Sequence, residues 1–135
     1  MSARIGGAVV FVRNAARSRD FYRDVLGLDV ELDAADATLL AGDGGTKLAL
    51  RELPRAPRVM GGIGVQYVAW VVADAEALEH AQQALTTRGD LINSSTDNGV
   101  TVVEGRDPDG IRVVIVHPEM PGAGISELPD RLYAY

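Results

Sequence analysis

Two stretches of the chain carry apolar residues at helical spacing, and each follows a short run rich in β-branched residues. The first stretch is bracketed by Asn14, a typical N-cap, and by Gly27, a typical C-terminal stop. This pattern predicts a helix over residues 15–26 with one apolar stripe. The second stretch is bracketed in the same way by Asp74 and Gly89, and it predicts a second helix.

Short apolar runs separated by turn residues predict eight strands. The first run is apolar throughout, which is typical of a strand buried on both faces, and the fifth run is predicted to be a buried strand as well. The Asn98-Gly99 pair predicts a tight hairpin, and the Asp-Pro-Asp-Gly sequence at 107–110 predicts a β-turn. The predicted strands cover residues 5–12, 28–33, 38–41, 47–52, 65–72, 91–95, 100–104 and 111–117.

The two halves of the chain repeat one order of elements, namely a strand, a helix and three strands. Setting Val12 against Val72 aligns the two helix caps at an offset of 60, and setting Gly45 against Gly110 aligns the closing strands at an offset of 65. This pattern indicates a duplicated module. We expect a first module at 1–53, a linker rich in Pro and Gly at 54–63, a second module at 64–118 and a tail at 119–135.

Composition and charge narrow the function classes. The chain has 135 residues, of which 47% are hydrophobic and 24% charged, so it can form a globular core. It has no cysteine, which excludes disulfides, zinc–thiolate sites and thiol catalysis. A net charge of −6 argues against nucleic acid as a partner. No apolar run approaches the ~20 residues of a membrane span, and no signal-peptide pattern is present, so we expect a cytoplasmic protein without a membrane partner.

Two motifs then indicate a family. Residues 18–28, Ser-Arg-Asp-Phe-Tyr-Arg-Asp-Val-Leu-Gly-Leu, resemble the first-helix signature of the glyoxalase, bleomycin-resistance and extradiol dioxygenase proteins, the vicinal oxygen chelate superfamily. Residues 106–110, Arg-Asp-Pro-Asp-Gly, resemble the turn before the last strand of that family. The resemblance covers residues 5–118 and implies an α+β fold. In this fold, two tandem βαβββ modules form a curled mixed sheet around a cup, and the helices lie outside.

The resemblance also implies where a metal would bind. In the family's enzymes, His or Gln from the first strand of each module and Glu from the last strand hold a divalent ion in the cup. Counting from the motifs places Gly7 and Tyr67 at the first-strand positions, and Ala49 and Val114 at the last-strand positions. None of them is a usual ligand, and a shift of one residue would turn a side chain to the opposite face. We therefore predict no metal, no other cofactor and no catalytic residue.

The alternation of side chains along the strands predicts what lines the cup instead. The lining is largely apolar, with one phenol, one guanidinium and one carboxylate near the rim. For the polar members a structural interpretation remains open, with Tyr67 as a core tyrosine and Glu104 and Arg112 as solvated charges. An apolar cleft with few polar groups suits an organic ligand. The candidate ligand-binding residues are Val9, Phe11, Ala49, Tyr67, Glu104, Arg112 and Val114.

The leading hypothesis is that the protein binds and sequesters a hydrophobic or aromatic small molecule without a metal, and that this molecule is an antibiotic. The protein is expected to be a homodimer. The resemblance implies both the ligand class, an aromatic natural product, and the dimer. The alternative hypothesis is a lyase, isomerase or oxygenase of the glyoxalase or dioxygenase kind that acts on a small organic substrate. Such an enzyme would use Tyr67, Glu104 or His117 as acid or base, or would hold a metal at other positions. A third hypothesis is a scaffold whose cup is filled by side chains.

Overall fold

Eight strands and two helices follow one another in the predicted order in the computed structural model, which describes residues 2–3, 5–55, 65 and 67–118. A short 3₁₀ helix at Asp43–Gly45 forms the turn before the fourth strand. The elements are β1 (Ala8–Val12), α1 (Ala15–Leu26), β2 (Asp29–Asp33), β3 (Ala37–Ala41), β4 (Lys47–Glu52), β5 (Val68–Val71), α2 (Ala75–Arg88), β6 (Leu91–Asp97), β7 (Val100–Arg106) and β8 (Arg112–His117).

The strands form two four-stranded mixed sheets with the same topology, β1-β4-β3-β2 and β5-β8-β7-β6. In each sheet the first and last strands of a module pair in parallel, and the other pairs are antiparallel. The register repeats as well, because Val9 pairs with Ala49 and Ala69 pairs with Val114, at the offsets of 60 and 65 seen in the sequence. The prediction of an α+β fold with two tandem βαβββ modules is confirmed.

The chain divides into two compact units. The first unit contains Met1–Pro57 together with the turn Asp107–Asp109, and the second contains Arg58–Arg106 and Gly110–Tyr135. The turn between β7 and β8 therefore belongs to the first unit, although its flanking strands belong to the second.

Both helices begin and end where the sequence predicts. The side-chain oxygen of Asn14 accepts a hydrogen bond from the Arg17 backbone N–H at 2.9 Å, and Asp74 does the same for Ala77 at 2.8 Å. Each bond satisfies one of the amide groups that a helix leaves unpaired in its first turn. At the other end, Gly27 adopts a left-handed conformation with φ of 69°, which stops the helix because residues with a Cβ avoid this region.

Each helix packs against one face of its own sheet. In the first unit, Leu48 and Leu50 of β4 are buried together with Phe21 of α1. In the second unit, Ile115 of β8 and Leu85 of α2 are fully buried. Because side chains alternate along a strand, residues at odd and even positions lie on opposite faces, so the helix covers only one set. The described helices are also too short to cross a membrane.

The predictions that the first run is a strand buried on both faces and that the fifth run is a buried strand are wrong. Val9 and Phe11 of β1 are 69% and 59% exposed, and Val71 of β5 is exposed as well. The apolar run from residue 5 also enters the strand only at Ala8. The reason lies in the architecture, since a helix covers one face of each sheet and β1 and β5 lie at the sheet edges. An apolar run therefore does not by itself show that a strand is buried, because burial depends on which elements cover the faces of the strand.

The close approach of α2 to its sheet depends on Gly105. A Cβ at this position would lie 2.7 and 2.8 Å from the two Leu85 methyl carbons, and Leu85 is fully buried. Gly105→Ala is therefore expected to lower the free energy of unfolding by roughly 1–2 kcal/mol through overpacking. Urea denaturation followed by circular dichroism measures this change. Gly6→Ala is the matched control, because a Cβ there meets nothing within 4 Å, and an equal change in both variants would contradict the prediction.

Candidate functional site

The four positions that the resemblance assigned to metal ligands are Gly7, Ala49, Tyr67 and Val114, and none carries an imidazole or a carboxylate. A Cβ at Gly7 would lie 3.0 Å from the Lys47 carbonyl oxygen, so the glycine permits a close approach of the chain to β4. Ala49 and Val114 offer no donor atom, and Tyr67 is a phenol just before β5. Within the described part of the chain, no group of three or more His, Cys, Asp or Glu residues could hold a metal ion. A resident ion held by imidazole and carboxylate does not fit these residues.

In the first unit, the sheet face that α1 leaves uncovered is a continuous apolar surface. The register aligns Leu32, Leu39, Ala49 and Val9 in one row across the four strands, and Phe11 lies beside this row on β1. Val9, Phe11 and Leu32 are largely exposed, while Leu39 and Ala49 are half-buried. We call these five residues the open face. It includes Val9, Phe11 and Ala49, three of the predicted ligand-binding residues.

In the second unit, the corresponding face is closed. Val102, Val114 and Val116 form a buried cluster, and Tyr67 and Val100 pack against it. The face lies opposite the one that α2 covers, as the alternation along β8 requires. Val114 is thus a core residue within this chain, and Tyr67, which is half-buried, lies over the cluster.

Glu104 and Arg112 are not solvated charges, and that interpretation of the sequence is corrected. Glu104 is 1% exposed and Arg112 is 7% exposed, and the Arg112 Nη1 lies 3.5 Å from the Glu104 Oε2. Glu104 is the direct cross-strand partner of Val114. Glu104 and Arg112 therefore lie on the same face as the buried cluster of Val102, Val114 and Val116, against which Tyr67 and Val100 pack.

Glu52 also has a structural partner. The Glu52 Oε1 accepts a hydrogen bond from the Ala15 backbone N–H at 2.9 Å. This bond places a carboxylate at the N-terminus of α1, where the helix dipole favours negative charge.

The Tyr67 hydroxyl stays protonated near neutral pH. Burial, and after it the negative charge of Glu104, raises the pKa of Tyr67 above its usual range. A protonated phenol is both a hydrogen-bond donor and an acceptor. Tyr67 itself is half-buried.

The structure does not bring His117 to the same face. His117 follows Val116 on β8, so its side chain points away from the face of Val114 and Val116. Its Nδ1 lies 3.3 Å from the carbonyl oxygen of Val72. His117 therefore does not join Tyr67 and Glu104 in an acid–base group.

The two family motifs meet through a buried hydrogen bond in the first unit. The Tyr22 hydroxyl of the first-helix motif donates to the Asp107 Oδ2 of the turn motif at 2.8 Å. Asp107 also accepts from the Asp109 backbone N–H at 2.9 Å, and Asp109 forms an ion pair with Arg13 at 3.2 Å. The residues that carry the resemblance thus hold the turn in place. Sequence analysis missed this contact because the two motifs are 85 positions apart along the chain.

A second residue that sequence analysis missed is Arg51 of β4. It is exposed, and it is the cross-strand partner of Phe11. Since Arg51 follows Ala49 by two positions, the alternation along β4 could have placed it on the open face. Its position beside Phe11, however, depends on the pairing of β1 with β4, which the sequence does not display.

The fold is shared with known structures. A glyoxylase/bleomycin resistance protein/dioxygenase domain from Frankia sp. EAN1pec superposes with a TM-score of 0.73 at 15% identity, covering 86% of this chain and 98% of that one. A glyoxalase/dioxygenase from Nostoc punctiforme superposes with a TM-score of 0.72 at 19% identity, covering 84% and 89% of the two chains. At these identities the likeness concerns the fold.

Sequence similarity gives the family itself. The model of the Glyoxalase/Bleomycin resistance protein/Dioxygenase superfamily matches residues 4–115, and the chain belongs to this superfamily. Among curated proteins, the metallothiol transferase FosB of Staphylococcus haemolyticus (strain JCSC1435) is 31% identical over 98 residues, or 73% of this chain. The matched region spans 62% of the length of that relative.

Proposed function

We propose that this protein binds a hydrophobic or aromatic small molecule without a metal ion and sequesters it from its target. The observation that carries the proposal is the open face, where Val9 and Phe11 are exposed on β1 and Leu32 is exposed at the opposite edge of the sheet. The half-buried Leu39 and Ala49 connect them across the two central strands. Contiguous apolar surface on a soluble protein marks a binding site more often than a single exposed residue does. Covering each 100 Å² of apolar surface would contribute about 2.5 kcal/mol before ordering costs.

The residues at the metal positions support a metal-free mode of binding. Gly7, Ala49 and Val114 cannot donate to an ion, so affinity would come from burial of apolar surface and a few polar contacts. In the second unit, we propose that Tyr67 supplies such a contact, with Glu104, Arg112 and Val114 behind it. In the first unit, we propose that Val9, Phe11 and Ala49 of the open face supply apolar contact.

The ligand class that we favour is an aromatic natural product, and an antibiotic in particular. Bleomycin resistance is among the activities for which the superfamily is named. We also propose that the protein forms a homodimer, as the resemblance implies. Sedimentation equilibrium would detect it as a doubling of the 14.3 kDa chain mass.

A second candidate function is favoured by the similarity to FosB, which is named a metallothiol transferase. On this alternative, the protein would be an enzyme that uses a metal ion and acts on a thiol. Because this chain has no cysteine, the thiol would belong to a substrate. Metal analysis of protein purified without chelator separates the two candidates, since about one tightly held divalent ion per chain would support the enzyme and contradict metal-free binding.

The proposal predicts a saturable rise in melting temperature with an aromatic ligand in the presence of EDTA. At a ligand concentration of 100 times Kd, binding stabilises the fold by ~2.7 kcal/mol. Phe11→Ala is expected to weaken binding about tenfold, because it removes an exposed ring from the open face. Thermal-shift titration against a panel of aromatic natural products measures both effects.

The matched control is Val30→Ala on β2. Val30 is 38% exposed, and its cross-strand partner Leu40 lies on the face that α1 covers. This variant should leave the ligand response unchanged. If no compound in the panel raises the melting temperature, or if EDTA abolishes the response, the proposed function is wrong.

A further inference from the structure

One cation, Arg51, adjoins the open face, and its charge is not neutralised by the described part of the chain. Arg51 is exposed, and among the described residues its guanidinium has no ion pair or hydrogen bond. Lys47, two positions earlier on the same strand, is different, because its Nζ binds the Glu31 carboxylate. The positive charge available on this face is therefore that of Arg51.

The guanidinium lies beside the exposed aromatic ring of the face. Phe11 and Arg51 are direct cross-strand partners in the parallel β1–β4 pair, so both side chains project from the same face. Side chains in such a pair have Cβ atoms about 5 Å apart. An apolar surface and a cation at this spacing match a molecule whose acidic group is attached directly to a ring or a short apolar chain.

The internal repeat shows that the fold does not require a cation at this position. At the same register position of the second unit, Val71 replaces Phe11 and Val116 replaces Arg51. Val116 is fully buried, so an apolar side chain suits this place in the sheet. In the second unit, moreover, Arg112 is already paired with Glu104. Arg51 thus differs from its counterpart in the repeat, and it adds a positive charge beside an apolar surface.

We propose that the ligand of the open face is an organic anion, in which a carboxylate, phenolate or sulfonate binds Arg51 while the apolar body lies against Phe11 and Val9. This inference rests on the proposed function and adds the charge of the ligand to it. Arginine suits this role because its planar fork of donors matches an acidic group and stays charged at every physiological pH. The net charge of −6 favours cations at long range, so the selectivity comes from this local contact.

The experiment compares two fluorescent probes that differ in one group. Anilinonaphthalene sulfonate carries a sulfonate, and phenylnaphthylamine has the same ring system without it. Both are titrated against the wild-type protein and against Arg51→Gln, Arg51→Lys, Phe11→Ala and Arg88→Gln. Arg88→Gln is the matched control, because it removes the same charge from an exposed position at the end of α2.

The wild-type protein should bind the sulfonate more tightly than the uncharged probe. Arg51→Gln should lower the affinity for the sulfonate probe about fivefold and leave the affinity for the uncharged probe unchanged. Arg51→Lys should retain most of the preference, since the charge remains. Phe11→Ala should lower the affinity for both probes, and Arg88→Gln should change neither affinity. Because Arg51 is exposed, its variants should keep the wild-type melting temperature.

The possible failures are distinguishable. If Arg51→Gln leaves the affinity for the sulfonate unchanged, or weakens both probes equally, the anion proposal is wrong while the proposed function stands. If the wild-type protein binds neither probe saturably, the proposed function fails as well. If sedimentation instead shows a dimer that Phe11→Ala dissociates, a second copy of the chain covers the open face and the ligand assignment is overturned.

Discussion

Arg112→Met is expected to lower the free energy of unfolding by about 3–5 kcal/mol. The substitution leaves the Glu104 carboxylate, which is 1% exposed, without the guanidinium that lies 3.5 Å away. A buried charge that has lost its counter-charge is among the largest destabilising changes that a single substitution can make. Urea denaturation followed by circular dichroism gives the difference directly.

The double variant Glu104→Leu/Arg112→Met is expected to recover most of this loss. Replacing both charges by apolar side chains removes the desolvation penalty together with the ion pair, and such replacements are often neutral or stabilising. Leucine is the appropriate choice, because Leu39 occupies the register position of Glu104 in the first unit. If the double variant is no more stable than Arg112→Met, the loss comes from packing and the account of the buried charge is wrong.

The matched control is Lys47→Met. Lys47 occupies the register position of Arg112 in the first unit, and its partner Glu31 is solvent-exposed. An exposed pair contributes ~1 kcal/mol or less, so this variant should have a small effect. Equal losses in Lys47→Met and Arg112→Met would mean that the Glu104–Arg112 pair is solvated.

Tyr22→Phe is expected to lower the free energy of unfolding by about 2–3 kcal/mol, which is typical for losing a buried hydrogen bond to a charged group. The Tyr22 hydroxyl is buried and donates to Asp107 at 2.8 Å, and Asp107 is only 2% exposed. The variant keeps the ring and its edge-to-face contact with Phe21, so the change isolates the hydroxyl. Tyr67→Phe is the control, with a smaller expected loss, because Tyr67 is half-buried.

The same variant has a pH signature. Burial, followed by the negative charge of Asp107, raises the pKa of Tyr22 well above the usual value of 10.0. The native state therefore favours the protonated phenol, and the resulting stability is fully present below pH ~10 and is lost as the pH rises above it. The difference in stability between wild type and Tyr22→Phe should shrink above this pH. A difference that stays constant up to the alkaline transition would contradict the assignment.

The order of elements was predictable because short-range effects dominate it. Asn14 and Gly27 bound a helix through hydrogen bonds and dihedral angles within a few residues of themselves. Asn98 and Gly99 both adopt positive φ in the predicted hairpin, for the same local reason. The duplication followed from spacing, and the structure reproduces its two offsets in the strand register.

The character of the candidate site was much less predictable. The sequence left open that Glu104 and Arg112 are solvated charges, and it predicted that β1 is buried on both faces, whereas the structure buries the two charges and exposes Val9 and Phe11 of β1. These errors have one cause. Alternation along a strand says which residues share a face, but it contains no information on whether a helix or a flanking strand covers that face. The importance of Arg51 was hidden for the same reason, since its position beside Phe11 depends on the pairing of β1 with β4.

The amino-acid sequence by itself thus determined the two modules, their helices and turns, and the family. Only the tertiary structure decided that the apolar face of the first unit is open, that the charges of the second unit are buried as a pair, and that Tyr22 reaches Asp107. Local structure depends on neighbours along the chain, which the sequence displays. Exposure, ion pairing and long-range hydrogen bonds depend on neighbours in space, which are set only when the strands pair and the helices pack against them.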